Sequence, residues 1–131
     1  MPVRVLIVDD AEAFRRAAAL VIQATAGFEV AGEAVDGEAS VTAAADLRPD
    51  IVLMDVNLPG IDGIEATRRI RAALPETKVV LLSTRDDGEF AWQAAECGAV
   101  AYLPKAMLTP DRLAGLIRNG GVNRWQQRRR R

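Results

Sequence analysis

Short, continuously apolar runs alternate with longer segments of helical spacing along almost the whole chain, and this constrains the fold more than any other feature. The runs are Val3–Val8, Phe28–Ala34 and residues 51–54, 79–82 and 101–103. Most are β-branched or leucine-rich with little polar alternation, as for strands buried on both faces of a parallel sheet. Phe28–Ala34 carries Glu29, Gly32 and Glu33 and is expected at a sheet edge. Between the runs, Phe14, Ala17, Ala18, Val21 and Thr25 keep an i, i+3/i+4 spacing, as do Ile64, Thr67, Ile70 and Leu74. Phe90, Ala94 and Cys97 share a stripe in the fourth segment, with Trp92 off it, and Leu113, Leu116 and Ile117 form one in the fifth. Punctuation agrees with these segments. Asp36-Gly37 opens the second helix and Pro49 follows its end, while Gly63 opens the third and Pro75 closes it. Thr109-Pro110-Asp111 supplies an N-cap, a proline at the first helical position and an early acid. The expected architecture is α/β: five βα units with right-handed crossovers in a doubly wound, three-layer sandwich over residues 3 to 118.

Composition narrows the chemistry. At 131 residues with 50% hydrophobic and 27% charged residues, the chain suits one globular domain rather than a disordered segment. The single cysteine, Cys97, excludes an intrachain disulfide, and its apolar stripe makes it a core thiol. There is no histidine, so Ser-His-Asp and Cys-His catalysis and histidine-based zinc sites are excluded. No apolar run approaches a membrane span, and the N-terminus enters a strand without a signal-peptide pattern, so a cytoplasmic protein is expected. The net charge of −1 averages two unlike segments. From residue 118 on there are six arginines and no acid, which leaves the first 117 residues with eleven basic and eighteen acidic residues. Residues 119–131 break the last helix at Asn119-Gly120-Gly121 and read as a basic tail or the start of a linker.

Ligands of open parallel sheets bind outside the carboxyl ends of the strands. The first strand ends in Asp9-Asp10, the third in Asp55, the fourth in Ser83-Thr84 and the fifth in Pro104-Lys105. In a 2-1-3-4-5 order the first and third strands are neighbours, and three carboxylates then converge beside a hydroxyl and a lysine. Two like charges ~4 Å apart repel by about 4 kcal/mol at an effective dielectric near 20. A hard divalent cation relieves that repulsion, and a compact acidic pocket with one lysine suits Mg²⁺ better than a many-ligand Ca²⁺ cage. Neither G-x-x-x-x-G-K-S/T nor G-x-G-x-x-G is present. The residues therefore describe an Mg²⁺-dependent phosphoryl site without a nucleotide loop, where a carboxylate can itself be the nucleophile.

The opening Val5-Leu6-Ile7-Val8-Asp9-Asp10 resembles that of bacterial two-component response-regulator receiver domains. So do Pro49-Asp50-Ile51-Val52-Leu53-Met54-Asp55-Val56-Asn57-Leu58-Pro59-Gly60-Ile61-Asp62-Gly63, Val79-Val80-Leu81-Leu82-Ser83-Thr84 and Gly98-Ala99-Val100-Ala101-Tyr102-Leu103-Pro104-Lys105. Each piece alone is weak; together, in order and spacing, they are highly specific. Phe28-Glu29-Val30-Ala31-Gly32-Glu33-Ala34 and Gly63-Ile64-Glu65-Ala66-Thr67-Arg68-Arg69-Ile70 add a NarL/FixJ-type flavour to the CheY-like pattern.

The resemblance implies a flavodoxin-like (βα)5 fold with strand order 2-1-3-4-5, and a receiver domain over residues 1–118. It implies that Asp55 is the phosphoacceptor, loaded by a sensor histidine kinase or phosphotransfer protein. Asp10, Asp55 and the backbone carbonyl of Asn57 would form the Mg²⁺ shell, with Asp9 acting through water. Lys105 would bind the phosphoryl oxygens. Ser83 would turn toward them as the switch hydroxyl, with Tyr102 as the switch aromatic moving inward and Thr84 modulating the lifetime of the phosphate. The output would be a changed surface on the fourth helix, fifth strand and fifth helix, which is also the expected homodimer surface. Transcriptional output through DNA would need an effector domain absent from these residues. The chain would catalyse its own phosphorylation and dephosphorylation without turning over a substrate. The alternative within the family is a free-standing regulator or phosphorelay shuttle. The family commonly has proline after this lysine; here Ala106 follows and Pro104 precedes. From another class, an Mg²⁺-dependent phosphatase of related topology would need a second acid two residues after its nucleophile, where this chain has Asn57.

Overall fold

In the computed structural model the described residues are 1–84 and 91–118. The strands are β1 (Val3–Val8), β2 (Phe28–Ala34), β3 (Ile51–Asp55), β4 (Lys78–Ser83) and β5 (Ala101–Pro104). The helices are α1 (Glu12–Gln23), α2 (Gly37–Leu47), α3 (Gly63–Ala73), α4 (Ala91–Glu96) and α5 (Pro110–Arg118), with a 3-10 turn at Lys105–Met107. All four strand pairings are parallel and the order is β2-β1-β3-β4-β5. Phe28–Ala34 is an edge strand, as its two glutamates and glycine led us to expect.

The apolar runs are explained by the two faces they fill. Leu6, Val8, Val52, Met54, Val79, Leu81 and Tyr102 point to one face, where Ala44, Ile64, Ile70, Ala94 and Cys97 cover them from α2, α3 and the α4 region. Val5, Ile7, Ile51, Leu53, Val80, Leu82 and Leu103 point to the other, under Ala18 and Ile22 of α1 and Leu113 and Leu116 of α5. Successive residues of a strand point to opposite faces, so a central strand buried on both is apolar through its middle.

The helical stripes hold with local corrections. In α1 the buried residues are Ala18 and Ile22, while Ala17 is exposed. Thr25 lies beyond the helix, in the following turn, and its hydroxyl donates to the carbonyl of Val21 at 2.7 Å. Asp36 caps α2 by accepting from the Ala39 N–H at 2.7 Å, and Asp62 caps α3 by accepting from Glu65 at 2.8 Å. Cys97 is buried just past α4, and Trp92 is exposed on it. Phe90, the side chain of Ile117 and the tail lie outside the described residues.

Candidate phosphoryl and metal site

Strand pairing brings the site together. β1 and β3 are neighbours, so Asp9, just past β1, and Asp55, the last residue of β3, leave the same edge of the sheet side by side. One carboxylate oxygen each of Asp9, Asp10 and Asp55 lie within 4.8 Å of one another. Asp9 is fully buried and Asp55 is 6% exposed, whereas Asp10 faces solvent. Lys105 enters from the end of β5, 96 positions from Asp9. Its Nζ donates to Asp9 Oδ2 at 2.6 Å and stands 3.6 Å from Asp55 Oδ2.

The backbone of each strand end is fixed. The Asp9 N–H donates to the Ala34 carbonyl at 3.1 Å, and Asp9 Oδ1 accepts from the Ala11 N–H at 2.8 Å, a short turn that aims the other oxygen at Lys105. Arg15 of α1 donates to the Asp9 carbonyl at 2.9 Å and to Glu33 Oε1 at 2.9 Å, tying the turn to β2. Asp55 Oδ1 accepts from the Asn57 N–H at 3.3 Å. The β3–α3 loop is held from outside, where Glu38 accepts from the Ile61 N–H at 3.3 Å.

Gly63 closes this loop against the site. Its N–H donates to the Val56 carbonyl at 2.9 Å, and a Cβ there would lie 2.1 Å from the Asp55 carbonyl oxygen. Backbone cannot yield as a side-chain tip does. Gly63→Ala should therefore cost about 2–3 kcal/mol in chemical denaturation. Gly27→Ala is the reference: its Cβ would meet open space, at φ +83°. That leaves only left-handed strain of about 1–2 kcal/mol. Equal losses from the two substitutions would refute the close-packing account.

Burial pushes the Asp55 carboxyl up to about 6 from its ordinary 3.8; Lys105 and the Asn57 N–H oppose this, and the charges of Asp9 and Asp10 reinforce it. The three crowded carboxylates are an oxygen-only donor set. They fit a hard divalent cation, which would restore Asp55 to its charged form.

The structure also places the remaining expected residues. Ser83 is fully buried as the last residue of β4, paired in register with Pro104. Thr84 follows it and is exposed. Asn57 is exposed beside Asp55. Tyr102 is 7% exposed, with its ring in the core on the α4 face and its hydroxyl without a hydrogen-bond partner among the described residues. The Lys105–Ala106 peptide is trans. Two neighbours were absent from the sequence reading of the site. Arg15 was not singled out, and Phe14, read only as core, lies with its ring centroid 4.5 Å from Lys105 Nζ.

The sequence pattern of the response regulator receiver domain matches residues 5–118. The chain belongs to the response regulator receiver domain family. This receiver domain is 41% identical over 116 residues to transcriptional regulatory protein YxjL of Bacillus subtilis, covering 88% of this chain and 53% of that protein. It is also 41% identical over 110 residues to a protein-glutamate methylesterase/protein-glutamine glutaminase of Anaeromyxobacter dehalogenans, covering 84% of this chain and 32% of the other. Among solved structures, a two-component response regulator of the LuxR family from Aurantimonas superposes with a TM-score of 0.81 at 33% identity, covering 91% of this chain and 84% of that one. The receiver thus spans about half of one curated relative and a third of another, and these relatives differ in what their names describe. No helix among the described residues is long and apolar enough to cross a membrane.

Proposed function

We propose that the receiver accepts a phosphoryl group on Asp55 from the phosphohistidine of a sensor histidine kinase or phosphotransfer protein. The observation that carries this is a nearly buried carboxylate that shares a 4.8 Å cluster with two others and has a lysine 3.6 Å away. An Asp55 oxygen attacks phosphorus, the P–N bond to the donor imidazole breaks, and the imidazole leaves with its electron pair and takes up a proton. The acyl phosphate is lost when water attacks phosphorus and Asp55 departs as carboxylate. Asp10, Asp55 and the Asn57 carbonyl would hold Mg²⁺, with Asp9 acting through water. The ion supplies neutralisation of charge on the phosphoryl oxygens. Lys105 and Ser83 are the protein's own contacts to those oxygens, and Thr84, exposed next to Ser83, modulates access of water.

The phosphoryl group adds about −1.5 to −2 charge to a site that is already acidic. Drawing Ser83 toward it moves the end of β4, which is paired in register with β5. Tyr102 stands on β5 with its ring against the α4 side, so it repacks with that movement. The α4, β5 and α5 surface is then the output, shifted between two packings, and the surface through which a homodimer would form. We place the receiver at residues 1–118, residues 119–131 as a basic tail or the start of a linker, and the protein in the cytoplasm. Transcriptional control through an effector outside these residues is supported by the relationship to YxjL; a free-standing regulator or shuttle is the alternative. A phosphatase of related topology is disfavoured because Asn57, not an acid, lies two positions after Asp55.

The test is incubation with a small phosphodonor such as acetyl phosphate and Mg²⁺, followed by intact mass measurement. Wild type should gain one phosphoryl group and Asp55→Asn none. Equal uptake by the variant would remove Asp55 as the acceptor.

A further inference from the structure

We propose that Phe14 is a positioning residue of this site: its ring face holds the Lys105 ammonium beside Asp55 without competing for the cation that the carboxylates bind. The inference rests on the phosphoacceptor function above. Among the described residues, Lys105 Nζ has three partners, Asp9 Oδ2 at 2.6 Å, Asp55 Oδ2 at 3.6 Å and the Phe14 ring centroid at 4.5 Å. An aromatic face attracts a cation within about 6 Å through its quadrupole, more strongly when water is excluded. The Lys105 side chain is only 16% exposed, so the contact is largely desolvated.

The partners differ in what survives metal binding. Carboxylate oxygens are the ligands a hard dication takes, and an oxygen engaged that way holds an ammonium less well. A second cation nearby also repels the lysine. A benzene ring is no ligand for such an ion, so its pull on Nζ persists. Phe14 is itself anchored, on α1 and packed against the cluster of Ala18, Ile22 and Leu113. Lys105, by contrast, sits on a flexible four-carbon stem whose ordering costs entropy. A stem whose ammonium is already held over the ring loses less freedom when it meets phosphoryl oxygens, which is preorganisation in the ordinary sense.

The probe is beryllofluoride, a tetrahedral stand-in for the phosphoryl group, titrated calorimetrically into the full chain in saturating Mg²⁺. Four proteins are compared: wild type, Phe14→Leu, Phe14→Tyr, and a protein with pentafluorophenylalanine at position 14. The fluorinated ring keeps the aromatic shape and reverses the quadrupole. Leucine and the fluorinated ring should weaken binding about three- to tenfold, and tyrosine should restore it. Independently of any ligand, the Lys105 methylene protons should be shifted upfield by the ring current in wild type and return to ordinary positions in Phe14→Leu. Wild-type affinity in the fluorinated protein, or in Phe14→Leu, would reduce Phe14 to packing and overturn the proposal. Failure of wild type itself to bind beryllofluoride would overturn the phosphoacceptor function, and this inference with it.

Discussion

Lys105→Met is expected to destabilise the metal-free protein by about 3 kcal/mol near neutral pH, a loss comparable to that of removing one partner of a buried ion pair. The reason lies in Asp9. Its carboxylate is fully buried, and Lys105 Nζ donates to one of its oxygens at 2.6 Å. The Ala11 N–H satisfies only the other oxygen. Methionine keeps the stem volume and removes the cation, so the variant leaves Asp9 a buried negative charge beside Asp55 and Asp10, stripped of its lysine partner. For a domain of this size the loss corresponds to a fall in melting temperature of roughly 10 °C. Divalent cation should recover much of it, because the ion replaces the missing positive charge in the same cluster. Thermal unfolding with and without Mg²⁺ reads both effects. A variant as stable as wild type without metal, or one that gains no more from Mg²⁺ than wild type does, would show that the Asp9–Lys105 pair does not govern this pocket.

The same pair shows where sequence alone reaches its end. Asp9, Asp10, Asp55, Ser83 and Lys105 could all be found, because each terminates an apolar run and parallel sheets gather their strand ends on one edge. The fold was legible for a related reason. Strands covered on both faces have no solvent side for polar residues along their middles, so Val5 to Val8 and Ile51 to Met54 announce themselves. Which partners Lys105 meets was not legible. That depends on how the stem leaves the 3-10 turn at Lys105–Met107, an element no periodicity marks. Phe14 looks like any stripe residue of α1 until β5 is placed, because a ring facing a cation and a ring facing a leucine leave the same trace in sequence. Arg15 is hidden likewise: its contact at the site is with the backbone carbonyl of Asp9, which carries no residue signature. The apolar runs also stopped one residue short at Asp55 and Ser83. Both are polar, yet the ladder continues through them, Asp55 opposite Leu82 and Ser83 opposite Pro104.

Asp55→Asn should be more stable than wild type at about pH 8 in the absence of metal, by about 2–3 kcal/mol. Burial is the main reason that the folded carboxyl titrates near 6 rather than at its ordinary 3.8, so folding favours the protonated form. Stability from this group is fully present below the unfolded value and is lost as pH rises through the folded one. Asparagine has nearly the same shape and no charge to desolvate, so it escapes that loss. The advantage of the variant should therefore shrink as pH falls from about 7 through the folded value and vanish only below about 3, where wild-type Asp55 is protonated in both states. Other carboxylates titrate in the same range, but they are common to both proteins and cancel in the difference. Mg²⁺ should act in the opposite direction, stabilising wild type by about 2.7 kcal/mol at a hundredfold excess over its dissociation constant and the variant much less. Urea denaturation of the two proteins across this pH range, with Mg²⁺ and with chelator, gives the four curves needed. Parallel wild-type and variant curves in chelator would mean that Asp55 is not held out of its ordinary range by the fold. The buried carboxylate would then carry no desolvation cost for a cation to relieve.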